Sequence, residues 1–159
     1  MTDSAMEIHT ARVSSDWIDY NGHMNVGYYN VAFDKAADAL FDRIGMGADY
    51  IKEQNNSIFT METHVCYLGE VMENDPLRYT CQILDVDQKR VHIYMEMFHA
   101  EKGFLSATSE QMYMHIDMDA RRSSAMPEEC YQRWAELRDA HAHLPKPEHA
   151  GRIMGIKRK

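Results

Sequence analysis

The segment Asp16-Trp17-Ile18-Asp19-Tyr20-Asn21-Gly22-His23-Met24-Asn25 gathers carboxylates, an imidazole and two carboxamides into one short stretch. A strong helical pattern starts directly after it, at about Tyr28. A carboxylate can attack an electrophilic carbon or take a proton from water. The first turn of a helix offers free N–H groups and a partial positive charge, which favour a developing oxyanion. Asp19, followed by Asn21-Gly22, therefore suits polarisation and attack of a carbonyl. The same residues also suit a plain polar turn, so residue types alone leave both readings open.

The elements that must hold this segment follow from periodicity. From Tyr28 to Ile44, the residues Phe33, Ala36, Ala37, Leu40 and Ile44 fall at helical spacing, and Gly45 and Gly47 form a stop. A short helical piece is expected at Ala48 to Gln54. Strands are expected at Met6–Val13, Ile58–Leu68, Leu77–Asp85, Val91–His99 and Leu105–Asp117. Within Ile58–Leu68, Phe59, Met61, Val65 and Tyr67 alternate with Glu62 and His64. Short polar turns between the last four strands predict an antiparallel meander with one helix on one face, an α+β layer. The other face needs a cover, and a partner subunit is the expected source. A further helix is expected over Glu128–Ala142, ended by Pro145 and Pro147. The division is one domain over 1–142 and a flexible tail over 143–159 that ends Lys157-Arg158-Lys159.

Composition narrows the function. The chain has 159 residues, 45% of them hydrophobic, which is enough for one sizeable core. A net charge of −8 argues against a nucleic-acid partner. No apolar run approaches the length of a membrane span and no signal-peptide pattern opens the chain, so a soluble cytoplasmic protein is expected. Cys66, Cys81 and Cys130 are widely spaced and read as structural thiols. The 9 histidines include no metal-ligand spacing, and the 13 methionines imply core or pocket filling, so no metal is expected.

The run Asp19-x-x-Gly22-His23-x-Asn25-x-x-x-Tyr29 resembles the signature of hotdog-fold thioesterases of the 4-hydroxybenzoyl-CoA thioesterase type. Further blocks resemble the betainyl-CoA thioesterases linked to carnitine breakdown. These are Asp16 to His23, Asn56 to His64, Lys89-Arg90-Val91-His92, Ala107 to Met112 and Gly151-Arg152-Ile153. The resemblance implies a long helix wrapped by an antiparallel sheet over about residues 6 to 118, in a homodimer or homotetramer. It also implies hydrolysis of a small acyl-CoA, betainyl-CoA among the options, with coenzyme A as part of the substrate and no separate cofactor.

In the resemblance Asp19 is the nucleophile or the general base, and the Val26 and Gly27 amides polarise the thioester carbonyl. His23 orients Asp19, contacts the substrate or fixes the loop, and Asn25 holds the loop or caps the helix. Tyr20, Tyr28, Phe59, Glu62, His64 and Glu110 are the candidate acyl-pocket residues, since aromatic faces and carboxylates suit a trimethylammonium group. Lys89, Arg90, Arg121 and Arg122 are the candidates for the coenzyme A phosphates. Two other expectations are kept: a thioesterase for an aromatic or longer aliphatic acyl group, and a non-catalytic acyl-CoA-binding hotdog protein.

Overall fold

A computed structural model describes residues 4–156 and residue 158. The basic end of the tail at Lys157 and Lys159 lies outside the described residues. In chain order the elements are β1 (Met6–Arg12), a 3-10 turn at Ser15–Trp17, α1 (Val26–Arg43), α2 (Ala48–Gln54), β2 (Asn56–Tyr67), β3 (Pro76–Val86), β4 (Arg90–His99), β5 (Leu105–Asp117), β6 (Arg122–Ser123) and α3 (Glu128–His141). The sheet runs β1-β3-β4-β5-β2, antiparallel throughout, with β6 beside the end of β5.

Helix α1 has 18 residues, about 27 Å of axis, and lies along the inner face of the sheet. Its buried stripe alternates large and small residues: Tyr29, Phe33, Leu40 and Phe41 fill the core, while Ala32, Ala36 and Ala37 let the sheet approach. Phe33 packs edge-on against Tyr79 of β3 and Phe41 against Tyr113 of β5, so the helix spans the width of the sheet. Truncating Phe33 to Ala would cost about 3–5 kcal/mol. The helix starts at Val26, two residues before the expected Tyr28, because Asn25 caps it. It stops at Gly45, whose φ of 74° is left-handed.

Two expectations about the sheet are corrected. The four long strands are not one meander: β3, β4 and β5 are, but β2 crosses to the far side and pairs with β5, leaving β2 as an edge. The link from Leu68 to Asp75 carries the chain back past the start of α1, where buried Val71 accepts a hydrogen bond from Met24 N at 2.9 Å. The faces of β2 also shift. A bulge between Thr60 and Glu62 breaks the alternation, so Phe59, Glu62 and His64 stand opposite Met114, Met112 and Glu110 on one face. Val65 and Tyr67 point to the other face, toward α1.

The outer face is polar, and this chain covers its centre. Helix α3 first closes the end of the inner layer, packing Trp134 on Phe41 of α1 with Trp134 Nε1 donating to Met46 Sδ at 3.2 Å. Ile83 N, at the part of β3 that β1 does not reach, donates to His141 Nδ1 at 3.0 Å. The chain then lies across the outer face, with Gln82 Nε2 donating to Pro145 O at 3.4 Å and Gly151 N donating to Glu110 Oε2 at 2.6 Å. Ala150 is buried beneath it. The segment after His143, expected to be flexible, is a strap on the sheet, and the cover expected from a partner comes in part from this chain.

Candidate active site

The Asp19 loop is built by backbone bonds before any side chain acts. Ile18 and Met24 form an isolated antiparallel bridge. Asp19 N donates to His23 O at 3.1 Å and Gly22 N to Asp19 O at 2.9 Å, closing a tight turn over Asp19–Gly22. Gly22 has φ 82°, a conformation that strains residues with a side chain. Asn25 N donates to Trp17 O at 2.8 Å and Met24 is wholly buried, which anchors the base of the loop.

The Asp19 carboxylate is half-buried and lies between two donors. Oδ1 accepts from Asn21 N at 2.8 Å, and Oδ2 accepts from Asn25 Nδ2 at 3.3 Å. The Asn25 side chain also caps α1, its Oδ1 accepting from Gly27 N at 3.0 Å. One carboxamide thus ties the carboxylate to the helix N-terminus. That cap engages the Gly27 amide, one of the two amides expected to polarise a carbonyl; the N–H of the other, Val26, has no acceptor among the described residues. Val26 and Tyr28 are exposed, so this helix end is open. The His23 ring makes no hydrogen bond among the described residues; its backbone carbonyl closes the turn.

Aromatic groups frame the opening. Tyr28 stacks on Trp17 with centroids 5.9 Å apart, and Lys35 Nζ sits 5.1 Å from the Trp17 ring on the way to the helix flank. Tyr67 packs edge-on against Tyr29 and reaches Val26 O at 3.5 Å. Tyr20 is 97% exposed on the turn. Between α1 and β2 a groove of about 340 Å³ is lined by Asn30, Val31, Asp34, Thr60, Thr63 and Gln111. It continues past Asp38 and Asp42. Burial raises the Asp38 carboxyl pKa, with Asp34 and Asp42 adding repulsion. Asn30, Val31 and Asp34 were not among the expected site residues. The recurrence of Asp34, Asp38 and Asp42 every fourth residue beside the apolar stripe was the available clue.

The structure separates the remaining expected residues from Asp19. Phe59, Glu62, His64 and Glu110 lie on the outer face of the sheet, away from α1, because of the β2 bulge and strand alternation. Glu110 is engaged twice, by His92 Nε2 at 2.8 Å and by Gly151 N of the strap. Lys89, Arg90 and Arg122 lie along the same end of β5, since His115 N donates to Lys89 O, Arg90 pairs with Met114 and Arg122 with Asp117; Arg121 precedes Arg122 in the turn. They sit at the C-terminal end of α1, the length of that helix from Asp19, and Arg90 is held by Asp87.

His92, His99, His115 and His141 are tied into the fold. His115 meets the Tyr50 hydroxyl at 2.9 Å, and His99 Nδ1 accepts from Lys102 N at 3.1 Å. Among the described residues no three His, Cys, Asp or Glu side chains group as metal ligands. The described cysteines are free thiols, two of them buried. No helix among the described residues is long and apolar enough to cross a membrane.

A carboxylate beside an open helix N-terminus, on a long helix wrapped by an antiparallel sheet, is the arrangement of a family. A profile of the thioesterase-like superfamily matches residues 13–134. The chain belongs to the thioesterase-like superfamily. It is 37% identical to a betainyl-CoA thioesterase of Pseudomonas aeruginosa over 144 residues, 91% of each chain. It is 38% identical to an L-carnitine dehydrogenase/betainyl-CoA thioesterase of a Rhizobium species over 96% of this chain, which spans 31% of that longer relative. A Staphylococcus aureus protein solved in complex with CoA superposes with a TM-score of 0.89 at 30% identity, covering 99% of both chains. The fold is thus the hotdog α+β fold expected from the sequence.

Proposed function

We propose that this chain hydrolyses an acyl-CoA thioester at the Asp19 loop, and that the acyl group is betainyl. The observation that carries the reading is the Asp19 carboxylate linked through Asn25 to the open N-terminus of α1. The thioester carbonyl oxygen approaches the Val26 amide, where the helix end stabilises the charge that develops on it. Asp19 then either takes a proton from water as the water oxygen bonds the acyl carbon, or bonds that carbon itself. In the second course, water cleaves the resulting anhydride. In both, the C–S bond breaks and coenzyme A leaves as a thiolate, which needs little help from an acid. The products are the free acid and coenzyme A, so reaction in the cytoplasm follows from where CoA thioesters occur.

The groove along α1 supports the cationic acyl group. Asn30, Asp34 and Asp38 line it downstream of the helix end, Tyr28 stacks on Trp17 in the first turn of α1, and Tyr67 reaches the Val26 carbonyl. Carboxylates and aromatic faces both favour a trimethylammonium group. The names of the relatives in Pseudomonas aeruginosa and Rhizobium support the same substrate.

Self-association completes the reading. Strand β2 is a 12-residue edge carrying exposed Phe59 and Met61, and Val31 of α1 is exposed beside it. A long apolar edge is normally covered. A second copy pairing antiparallel along β2 covers it, and the two-fold axis brings the basic end of one chain, with Lys89, Arg121 and Arg122, toward the other chain's Asp19. That end then serves the coenzyme A phosphates. The test is release of free thiol from betainyl-, acetyl-, benzoyl- and long-chain acyl-CoA. Preference for betainyl-CoA is expected. Preference for benzoyl- or long-chain thioesters would replace the acyl assignment, and no release from any of them would leave an acyl-CoA binder.

A further inference from the structure

The strap crosses the outer face strand by strand and turns at Pro147–Arg152, where its bonds end. Pro145 meets Gln82 on β3, the His149 backbone meets Tyr94 on β4, and Gly151 meets Glu110 on β5. The next strand in this direction is β2, the free edge. The residues that follow are apolar and uncovered: Ile153 is 92% exposed, Met154 85% and Ile156 88%. Three large apolar side chains in four residues, at the end of an otherwise bonded strap, mark a contact surface.

We propose that Arg152–Ile156 of one chain passes over its own β2 and packs on the outer face of a second copy of this chain. The inference rests on the β2 pairing put forward above. Length supports it: Arg152–Ile156 reaches about 17 Å when extended, whereas one strand is about 4.8 Å wide, so the segment is long enough to cross β2. Charge supports it too. The segment opens with exposed Arg152 and runs into Lys157-Arg158-Lys159, whereas the chain as a whole carries −8. The outer face beside the β2 edge presents exposed Glu62 next to Phe59, an acidic and an apolar partner for that composition.

Subunit exchange tests this. Two batches of the full chain, one carrying a fluorescence donor and one an acceptor, are mixed, and energy transfer is followed. A second pair carries Ile153→Ser, Met154→Ser and Ile156→Ser, exposed positions whose change leaves the Gly151–Glu110 bond in place. Energy transfer in the parent and roughly tenfold faster exchange in the serine variant are expected. Exchange within about twofold of the parent overturns the tail contact while the β2 pairing stands. No energy transfer in the parent, with a monomer by sedimentation, overturns the pairing and the tail contact together.

Discussion

Each face of the sheet carries a carboxylate bonded to a backbone amide, and the two are finished differently. On the inner side Asp19 is held within its own loop by Asn21 and Asn25, beside a helix end whose Val26 amide has no acceptor among the described residues. On the outer side Glu110 is matched by the His92 imidazole and by the Gly151 amide of the strap laid over it. Glu110 joins two parts of the chain and so contributes to cohesion. Asp19 joins only near neighbours in sequence, beside the exposed first turn of α1. Residue type does not separate these roles; what surrounds the second oxygen does.

The largest effect should come from Asp19→Asn, which keeps the turn's shape and removes the base or nucleophile. Turnover of the preferred acyl-CoA should fall by about 1,000-fold with an unchanged far-UV spectrum. Asn25→Ala should come next. It frees the carboxylate from the helix and removes the cap, so kcat should fall by about a hundredfold and stability by about 1 kcal/mol in urea unfolding. Glu110→Gln should move the other way in kind, lowering stability by about 1 kcal/mol through the His92 pair and the strap while turnover stays within about twofold.

The smallest effect is a pH dependence. Burial holds the His141 and His115 pKa values below the ordinary 6.5, and His143 adds repulsion at His141. The unfolded chain therefore binds these protons more readily once pH falls below about 6.5. The urea midpoint should be level above that pH and drop between pH 6.5 and 5.5, with a shallower drop in His141→Gln. A midpoint that rises on acidification would contradict the environment described for His141.

Much of this architecture is legible in residue order, and the misses have two causes. Helix α1 and the long strands show in their periods, and the Asn25 cap and Gly45 stop explain the helix bounds. The Asp19 loop is legible because its turn, cap and helix are local. The position of β2 next to β5 is not local, since a strand's hydrogen-bonding partner leaves no mark in its own alternation. The bulge at Thr60–Glu62 reverses a face through one extra residue, which puts Phe59, Glu62 and His64 together on the outer side, where the alternation of β5 also places Glu110. The strap is invisible for another reason: it binds through the carbonyl of Pro145 and the amide of Gly151, groups every residue of those types possesses.

The most direct measurement places one conservative change on each face: kcat/KM for betainyl-CoA in Asp19→Asn and Glu110→Gln, assayed beside the parent chain. Loss of about three orders of magnitude in the first and near-parental turnover in the second is the expected result. Near-parental turnover in Asp19→Asn, or an equal loss in both, would contradict the assignment of the chemistry to the inner face.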